Sequence, residues 1–171
     1  DLNKAVKIGT ALDDNFFFWF EDPIKWDDFE SISKLNKKIK TPLAMTDQAP
    51  FLFNENRLYT TELAPQIMRG TSRKLGITGL LKSAAVAEAF NKRCEIGTGG
   101  NIFFNMANIH VTCSINNCTY YEYWMPTSTA DFATIETINL NNGNVRSFDK
   151  PGLGLTLDNK WIKDNKIFTI K

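Results

Sequence analysis

Histidine and cysteine are scarce in this sequence, and net charge is almost absent. The 171 residues include one histidine and three cysteines. An odd, sparse set of cysteines (Cys94, Cys113 and Cys118) argues against a disulfide scaffold and favours a reduced, cytoplasmic protein. The net charge is +1, from 20 Lys and Arg against 19 Asp and Glu. Electrostatics therefore give no reason to expect a nucleic acid or an anionic membrane as partner.

Long hydrophobic runs and targeting signals are missing as well. No apolar run approaches the roughly 18 residues that mark a transmembrane helix, so we predict no membrane span. No signal-peptide pattern opens the chain. The first residue is Asp1 rather than Met, and we expect the natural N-terminus to lie upstream. With 43% hydrophobic and 23% charged residues, the composition is that of a globular protein with a real core.

One aromatic run dominates what is present. Five aromatic residues, 16–20, lead directly into Glu21, Asp22 and Pro23. A short run this apolar predicts a strand that is buried on both faces, and Pro23 ends it because proline has no N–H for the ladder. Carboxylates at the end of a buried strand are costly unless they are paired or hold a cation. The run therefore marks a candidate site.

The rest of the chain alternates predicted strands and helices. We predict helices over residues 2–12, 28–39, 76–90 and 102–115, and a weaker, irregular one between residues 51 and 63. The predicted strands end near Glu21, Asp47, Gly70, Gly97 and Glu122, at intervals of roughly 25 residues that each hold one helix. Such βα repeats give parallel strands, whose carboxyl ends share one edge where ligands bind. A hairpin over residues 135–145 and a strand-like tail over residues 166–170 follow.

Three of the five strand ends carry acids. Glu21 and Asp47 end successive strands, so their carboxylates can converge on one divalent cation, and oxygen ligands favour Mg²⁺. The alternatives are that Asp47 is a turn or helix-capping residue and that Glu122 pairs with a Lys or Arg of the tail. For Asp22 we favour a capping or ion-pairing role near Pro23 over metal binding.

Five segments in register resemble the mandelate racemase/muconate-lactonising branch of the enolase superfamily. They are residues 20–23, 41–48, 75–79, 120–122 and 150–154. The resemblance implies an α/β fold: residues 1–126 would form strands 4 to 8 of a (β/α)₇β TIM-type barrel. Residues 127–171 would form a hairpin and tail that join the capping domain.

The resemblance also implies roles for the three acids. Glu21 matches the metal ligand on strand 4 of the family, Asp47 the ligand on strand 5, and Glu122 the catalytic acid that hydrogen-bonds the substrate carboxylate. The implied cofactor is Mg²⁺, which stabilises the enediolate formed when the proton α to a carboxylate is removed. The implied substrate is a small carboxylate or an acid sugar.

The sequence also departs from the family. The strand-3 ligand and the Lys-X-Lys base have no counterpart, the strand-6 position falls at Gly70 or its neighbour, and the strand-7 position falls at Gly97 or Thr98. His110 lies in a predicted helix. Two hypotheses follow: part of a Mg²⁺-dependent dehydratase, racemase or cycloisomerase, or a non-catalytic barrel remnant without a general base. In either case we expect a homo-oligomer or completion by a missing N-terminal part.

Two loops next to the strand ends have open interpretations. Arg69, Arg73 and Lys74 either bind an anionic substrate or lie in a solvated strand-to-helix loop. The loop 97–101 is either a phosphate cradle at a helix N-terminus or a tight turn that needs φ > 0, and we favour the turn. Cys94 is expected to be packed in its strand and His110 to be a satisfied core or interface residue.

Overall fold

A computed structural model describes residues 1–47, 49, 65–126 and 130–169. The helix predicted between residues 51 and 63 lies outside these residues. The helices are α1 (Leu2–Asp14), α2 (Phe29–Asn36), α3 (Ser72–Ala89), α4 (Ile102–Thr112) and α5 (Asn159–Asn165). The strands are β1 (Phe20–Glu21), β2 (Leu43–Met45), β3 (Ile67–Gly70) and β4 (Arg93–Ile96).

The strands form one parallel sheet in the order β1-β2-β3-β4. Every residue of β2 and β3 is buried, and α1, α2 and α3 contribute side chains to the core that packs against these strands. A parallel strand with both faces covered reads as a continuous apolar run, as Leu43–Met45 does. The predicted parallel α/β architecture is thus confirmed.

Helix α3 follows the prediction in position but not in its buried face. A break at Gly76, with φ 63° and ψ 174°, separates its first turn from the long C-terminal part. Leu80 and Ala84 pack into the core, whereas Ile77 and Leu81, expected on the same stripe, are exposed. The buried stripe instead runs through Leu80, Ser83, Ala84 and Ala87, so a stripe chosen for its apolar residues missed Ser83.

The aromatic run was predicted as a doubly buried strand, and this is wrong. Phe16, Phe17 and Phe18 are exposed, Phe16 to 93%, and only Phe20 enters the sheet. Phe16 has φ 56° in the turn that leaves α1, so the ladder cannot begin there. Because β1 pairs with β2 alone among the described strands, it is the edge of the sheet.

The sheet is curved, and aromatic side chains next to its two ends are in contact. Beyond β4 the chain makes one parallel bridge, Ile96 to Tyr121, in place of the full strand predicted over residues 119–123. Tyr120 packs edge-on against Phe18, with ring centroids 5.5 Å apart, and lies 6.4 Å from the ring of Trp19. The first and last strands therefore face each other across the inside of a partial barrel.

The C-terminal segment packs on α4. Ile138 is buried with Ile102, Met106 and Ile109 in a second hydrophobic cluster. The predicted hairpin has one antiparallel bridge, Asn141 to Asn144, and residues 166–169 form no strand; the short helix α5 precedes them. Helix α5 was not predicted, because it has no buried residue and therefore shows little hydrophobic periodicity. The division of the chain at residues 126 and 127 stays a prediction.

No described helix is both long and apolar enough to span a membrane.

Candidate active site

Three charged side chains meet at the carboxyl ends of the strands. Arg69, near the end of β3, donates from Nε to Glu21 Oε1 at 3.1 Å, and its Nη2 donates to Glu122 Oε2. Glu21 ends β1, and Glu122 follows the bridge beside β4. Because the sheet is curved, one arginine can reach both of its ends. The sequence predicted that acids would collect at this edge, but not that Arg69 would lie between them.

The burial of these groups is uneven. The Arg69 side chain is 5% exposed, whereas those of Glu21 and Glu122 are 33% and 41% exposed. Burial alone would lower the pKa of Arg69, but the negative charges of Glu21, Glu122 and Asp47 outweigh it and raise that pKa. The guanidinium is therefore a fixed positive charge enclosed by acids that solvent can reach.

Asp47 belongs to the same cluster. A Cβ placed on Gly97 would lie 2.8 Å from Asp47 Oδ1 and 3.4 Å from both Arg69 Nη2 and Glu122 Oε2. A side chain at Gly97 would therefore collide with Asp47, which explains a glycine at the end of β4. The structure thus brings together all three predicted acids, Glu21, Asp47 and Glu122.

Asp22 holds the strand ends in place. Its Oδ1 accepts a hydrogen bond from Thr46 N at 2.9 Å, and its own N–H donates to Ala44 O at 2.9 Å. Thr46 Oγ1 donates to Arg69 O at 2.8 Å. These bonds link the ends of β1, β2 and β3 next to the acids, so the contacts of Asp22 stabilise the strand ends.

Lys74 adds a second cation close to the acids. It lies in the first turn of α3 and is half-buried. Burial lowers the pKa of Lys74; Asp47 and Asp22 oppose this shift, and Arg73 and Arg69 add to it. Lys74 is therefore a second cation that interacts electrostatically with Asp47 and Asp22.

Glu95 is a buried carboxylate that sequence reasoning passed over. It is 0% exposed, pairs with Arg93, and accepts hydrogen bonds from Thr119 N at 3.2 Å and Tyr120 N at 2.9 Å. It thereby fixes the segment that carries Glu122. Its position inside a predicted strand was the available signal, since a charge there requires a partner.

The loop after β4 is a turn, as favoured from the sequence. Gly100 has φ +82°, and Asn101 caps α4 by accepting from Phe104 N at 3.1 Å. A Cβ on Gly99 would lie 2.5 Å from Phe104 Cβ, so the backbone leaves no space for a side chain there. Buried Asn108 fixes the loop by donating to Gly97 O at 2.8 Å and accepting from Ser72 N at 2.7 Å.

The remaining candidates lie apart from the acids or are buried. His110, in the last turn of α4, has Nε2 3.4 Å from Leu153 O of the C-terminal segment. Cys94 is fully buried in β4, and burial raises the pKa of its thiol far above the ordinary value. A buried, protonated thiol does not act as a nucleophile.

The arrangement of these residues does not fit a Mg²⁺ site. Glu21 Oε1 accepts from Arg69, and its Oε2 accepts from Trp19 Nε1 at 3.1 Å. Among the residues that the structure describes, no three His, Cys, Asp or Glu side chains form a group that could hold a metal. Mg²⁺ requires near-octahedral oxygen ligands at short distance, and hydrogen-bond donors occupy the oxygens that Glu21 would offer.

A curved parallel sheet, with helices between its strands and charged groups at their carboxyl ends, is the arrangement of a (β/α) barrel. The family model described as enolase C-terminal domain-like matches residues 1–161. The chain belongs to that family.

Solved structures establish the same fold. A mandelate racemase/muconate lactonizing enzyme from Sulfitobacter sp. superimposes with a TM-score of 0.83 at 24% identity, over 92% of this chain and 40% of that one. A mandelate racemase/muconate lactonizing enzyme-like protein from Roseovarius sp. TM1035 gives 0.84 at 23% identity, over 96% and 41%. The fold is thus α/β and corresponds to part of a TIM-type barrel.

The curated relatives are acid-sugar dehydratases. A D-mannonate dehydratase from Caulobacter vibrioides is 26% identical over 157 residues, which are 91% of this chain and 39% of that protein. A D-xylonate dehydratase from Haloferax volcanii is 24% identical over 161 residues, 91% of this chain and 38% of that protein. The chain therefore spans about two fifths of the length of these relatives.

Proposed function

We propose that this chain carries part of the active site of an acid-sugar dehydratase or racemase, an enzyme that removes the proton α to a carboxylate. The observation that supports this most strongly is the meeting of Glu21, Asp47, Arg69 and Glu122 at one end of the parallel sheet. That is where ligands bind in barrels of this kind. The dehydratase names of the curated relatives support the substrate class.

The charges suit a small anionic substrate that also carries hydroxyl groups. Arg73 and Lys74, on the turn after β3, supply positive charge to which a carboxylate can bind. Arg69 holds Glu122 in place, and the more exposed Glu122 can accept hydrogen bonds from substrate hydroxyls. Hydrogen bonds from fixed cations stabilise the negative charge that develops when the α-proton leaves. The candidate proton acceptor is Lys74, because it lies in the first turn of α3, where it interacts electrostatically with Asp47 and Asp22.

Mg²⁺ dependence, which the family resemblance implies through Glu21 and Asp47, is the alternative that the Mg²⁺ titration described below tests. Arg69 pairs with Glu21 in the described structure, so this pairing would have to break before Glu21 could bind a metal. None of the roles assigned above to Arg69, Glu122 and Lys74 depends on it.

The second candidate is a barrel remnant that binds acid sugars without turning them over. The end of β4 favours it, because a Cβ at Gly97, one of the two residues at the strand-7 position, would lie 2.8 Å from Asp47 Oδ1 and leave no room for a catalytic side chain. His110 contacts the C-terminal segment instead. The two candidates differ in whether the protein breaks the C2–H bond of the substrate.

Turnover and binding together distinguish them. Dehydration of an aldonate removes the C2 proton and the C3 hydroxyl as water and leaves a 2-keto-3-deoxy acid, which semicarbazide detects by absorbance. We would assay D-mannonate, D-xylonate, D-galactonate and arabinonate, and measure binding of each by calorimetry. As variants we would use Glu122→Gln and Lys74→Met, with the exposed Glu88→Gln on α3 as the matched control.

Each outcome has a defined meaning. Keto-acid formation that Lys74→Met abolishes and Glu88→Gln preserves supports the enzyme, and binding weakened by Glu122→Gln without turnover supports the remnant. Neither binding nor turnover with any of the four acids contradicts both.

The free edge of β1 supports a prediction about assembly. β1 pairs only with β2 among the described strands, and the exposed Phe16–Phe18 lies beside it. An uncovered apolar edge promotes pairing with another chain. We propose that further protein, either a second copy or additional barrel strands, covers this edge. A stable, monodisperse monomer in sedimentation at micromolar concentration would count against this.

A further inference from the structure

The strongest unexplained feature of the site is a buried arginine in a position where the family resemblance implies a metal. Arg69 contacts Glu21 through Nε and Glu122 through Nη2, so one guanidinium joins the acids from both ends of the sheet. Its side chain is nearly inaccessible, and its guanidinium carbon Cζ lies 5.7 Å from the centroid of the Trp19 ring. The position of the guanidinium is therefore held by ion pairs and packing.

We infer that Arg69 is the resident counter-cation of this carboxylate cluster and takes the place of a divalent metal there. The inference concerns cation binding and does not rest on the proposed reaction. Its basis is the set of donors around the acids. Both oxygens of Glu21 accept hydrogen bonds, from Arg69 and from Trp19, and Glu122 Oε2 accepts from Arg69 and from Thr98 N at 3.3 Å.

Displacing Arg69 would be costly. A metal that took Glu21 and Glu122 would leave a buried guanidinium without its partners, and an unpaired buried charge is strongly destabilising. An arginine cannot avoid this cost by deprotonating, because its pKa is too high and these acids raise it further. A metal therefore competes with a cation that cannot be neutralised.

Space at the cluster also disfavours a hydrated ion. Asp47, Arg69 and Glu122 all lie within 3.4 Å of the position that a Cβ on Gly97 would occupy. Mg²⁺ gives up its waters reluctantly and usually retains several of them. On the side of the cluster next to Gly97, a hydrated ion would first have to displace these three side chains.

A Mg²⁺ titration with matched variants tests the inference. We would follow calorimetry and thermal unfolding of the whole chain in MgCl₂ against NaCl of equal ionic strength, for the wild type, Arg69→Met, Glu21→Gln and the double variant Arg69→Met/Glu21→Gln. Arg69→Met keeps the apolar stem and removes the charge. It leaves Glu21 and Glu122 without their cation, which Mg²⁺ can then supply.

The wild type should show no Mg²⁺-specific stabilisation. In Arg69→Met, affinity should rise by at least about tenfold. At ten times its Kd, Mg²⁺ should then raise the melting temperature by about 3 to 6 °C. The double variant should lose this gain, because Glu21 is needed for it.

Two results would overturn the inference: wild-type Mg²⁺ binding that Glu21→Gln abolishes, or a folded Arg69→Met variant that gains no affinity. If the wild type binds Mg²⁺ and Glu21→Gln binds it equally well, the ion lies at other carboxylates, and this result agrees with the inference. Should Arg69→Met fail to fold, the comparison of wild type with Glu21→Gln decides alone: Glu21-dependent binding overturns the inference, and its absence supports it.

Discussion

Replacing Glu95 with glutamine should destabilise the protein by detaching the segment that carries Glu122. The carboxylate is fully buried, pairs with Arg93, and accepts from the backbone N–H groups of Thr119 and Tyr120. Hydrogen bonds to a charged group contribute about 1.5–3 kcal/mol each. Glutamine replaces one carboxylate oxygen with an NH₂ group, which cannot accept a hydrogen bond from the donors that face it. Since glutamine keeps one acceptor oxygen, we expect a loss of about 3 kcal/mol in the free energy of unfolding.

Urea and thermal unfolding would measure this loss. For a chain of this size, about 3 kcal/mol corresponds to a fall of roughly 6 to 12 °C in melting temperature. The control is Glu88→Gln, an exposed position on α3 where we expect a change within about 0.5 kcal/mol. Hydrogen exchange gives the local signature, since the amides of Thr119 and Tyr120 should exchange faster in Glu95→Gln.

Two outcomes would refute this reasoning. A stability change as small as that of Glu88→Gln would show that the Glu95 contacts are worth little. A large loss with unchanged protection at Thr119 and Tyr120 would place the effect elsewhere in the core.

Three further predictions concern other parts of the molecule. Hydrogen bonds from a lysine side chain and from a threonine N–H and hydroxyl lower the pKa of Glu136 to about 2. Because this folded-state pKa is depressed, the stabilising contribution is present above the ordinary value of 4.5 and disappears as pH falls toward about 2. The stability difference between wild type and Glu136→Gln should therefore shrink over that range, and a constant difference in acid titrations would contradict it. Native iodoacetamide labelling followed by mass spectrometry should modify exposed Cys113 and spare buried Cys94 until the protein is unfolded; equal labelling rates would contradict the burial. Gly97→Ala should cost about 1–3 kcal/mol, because the new methyl group would lie 2.8 Å from Asp47 Oδ1; an unchanged urea midpoint would show that Asp47 moves away freely.

The acids illustrate how far spacing can carry a sequence argument. Their regular positions placed Glu21, Asp47 and Glu122 at one edge of the sheet and predicted that the carboxylates of Glu21 and Asp47 would converge, because parallel strands place their carboxyl ends on one edge. The structure brings them together. Spacing did not show that Arg69 would lie between them, since the direction of a side chain at a strand end depends on curvature and on its neighbours.

The aromatic run shows the opposite case. Composition alone made residues 16–20 the best candidate for a buried strand, yet Phe16 is the most exposed of them. Hydrophobicity describes what a segment would gain from burial, but not whether another element lies over it. At the edge of this sheet, Phe18 contacts Tyr120 and Arg93 instead of a neighbouring strand.

By itself, then, the sequence determined the class of fold, the order of strands and helices and the edge where the acids collect, because hydrophobic period and strand spacing are local properties. Tertiary structure alone decided which charges meet. Arg69 reaches Glu21 and Glu122 only because the sheet curls until its two ends face each other. The cation of the site and the partners of buried Glu95 follow from contacts between residues far apart in the chain, which no local pattern encodes.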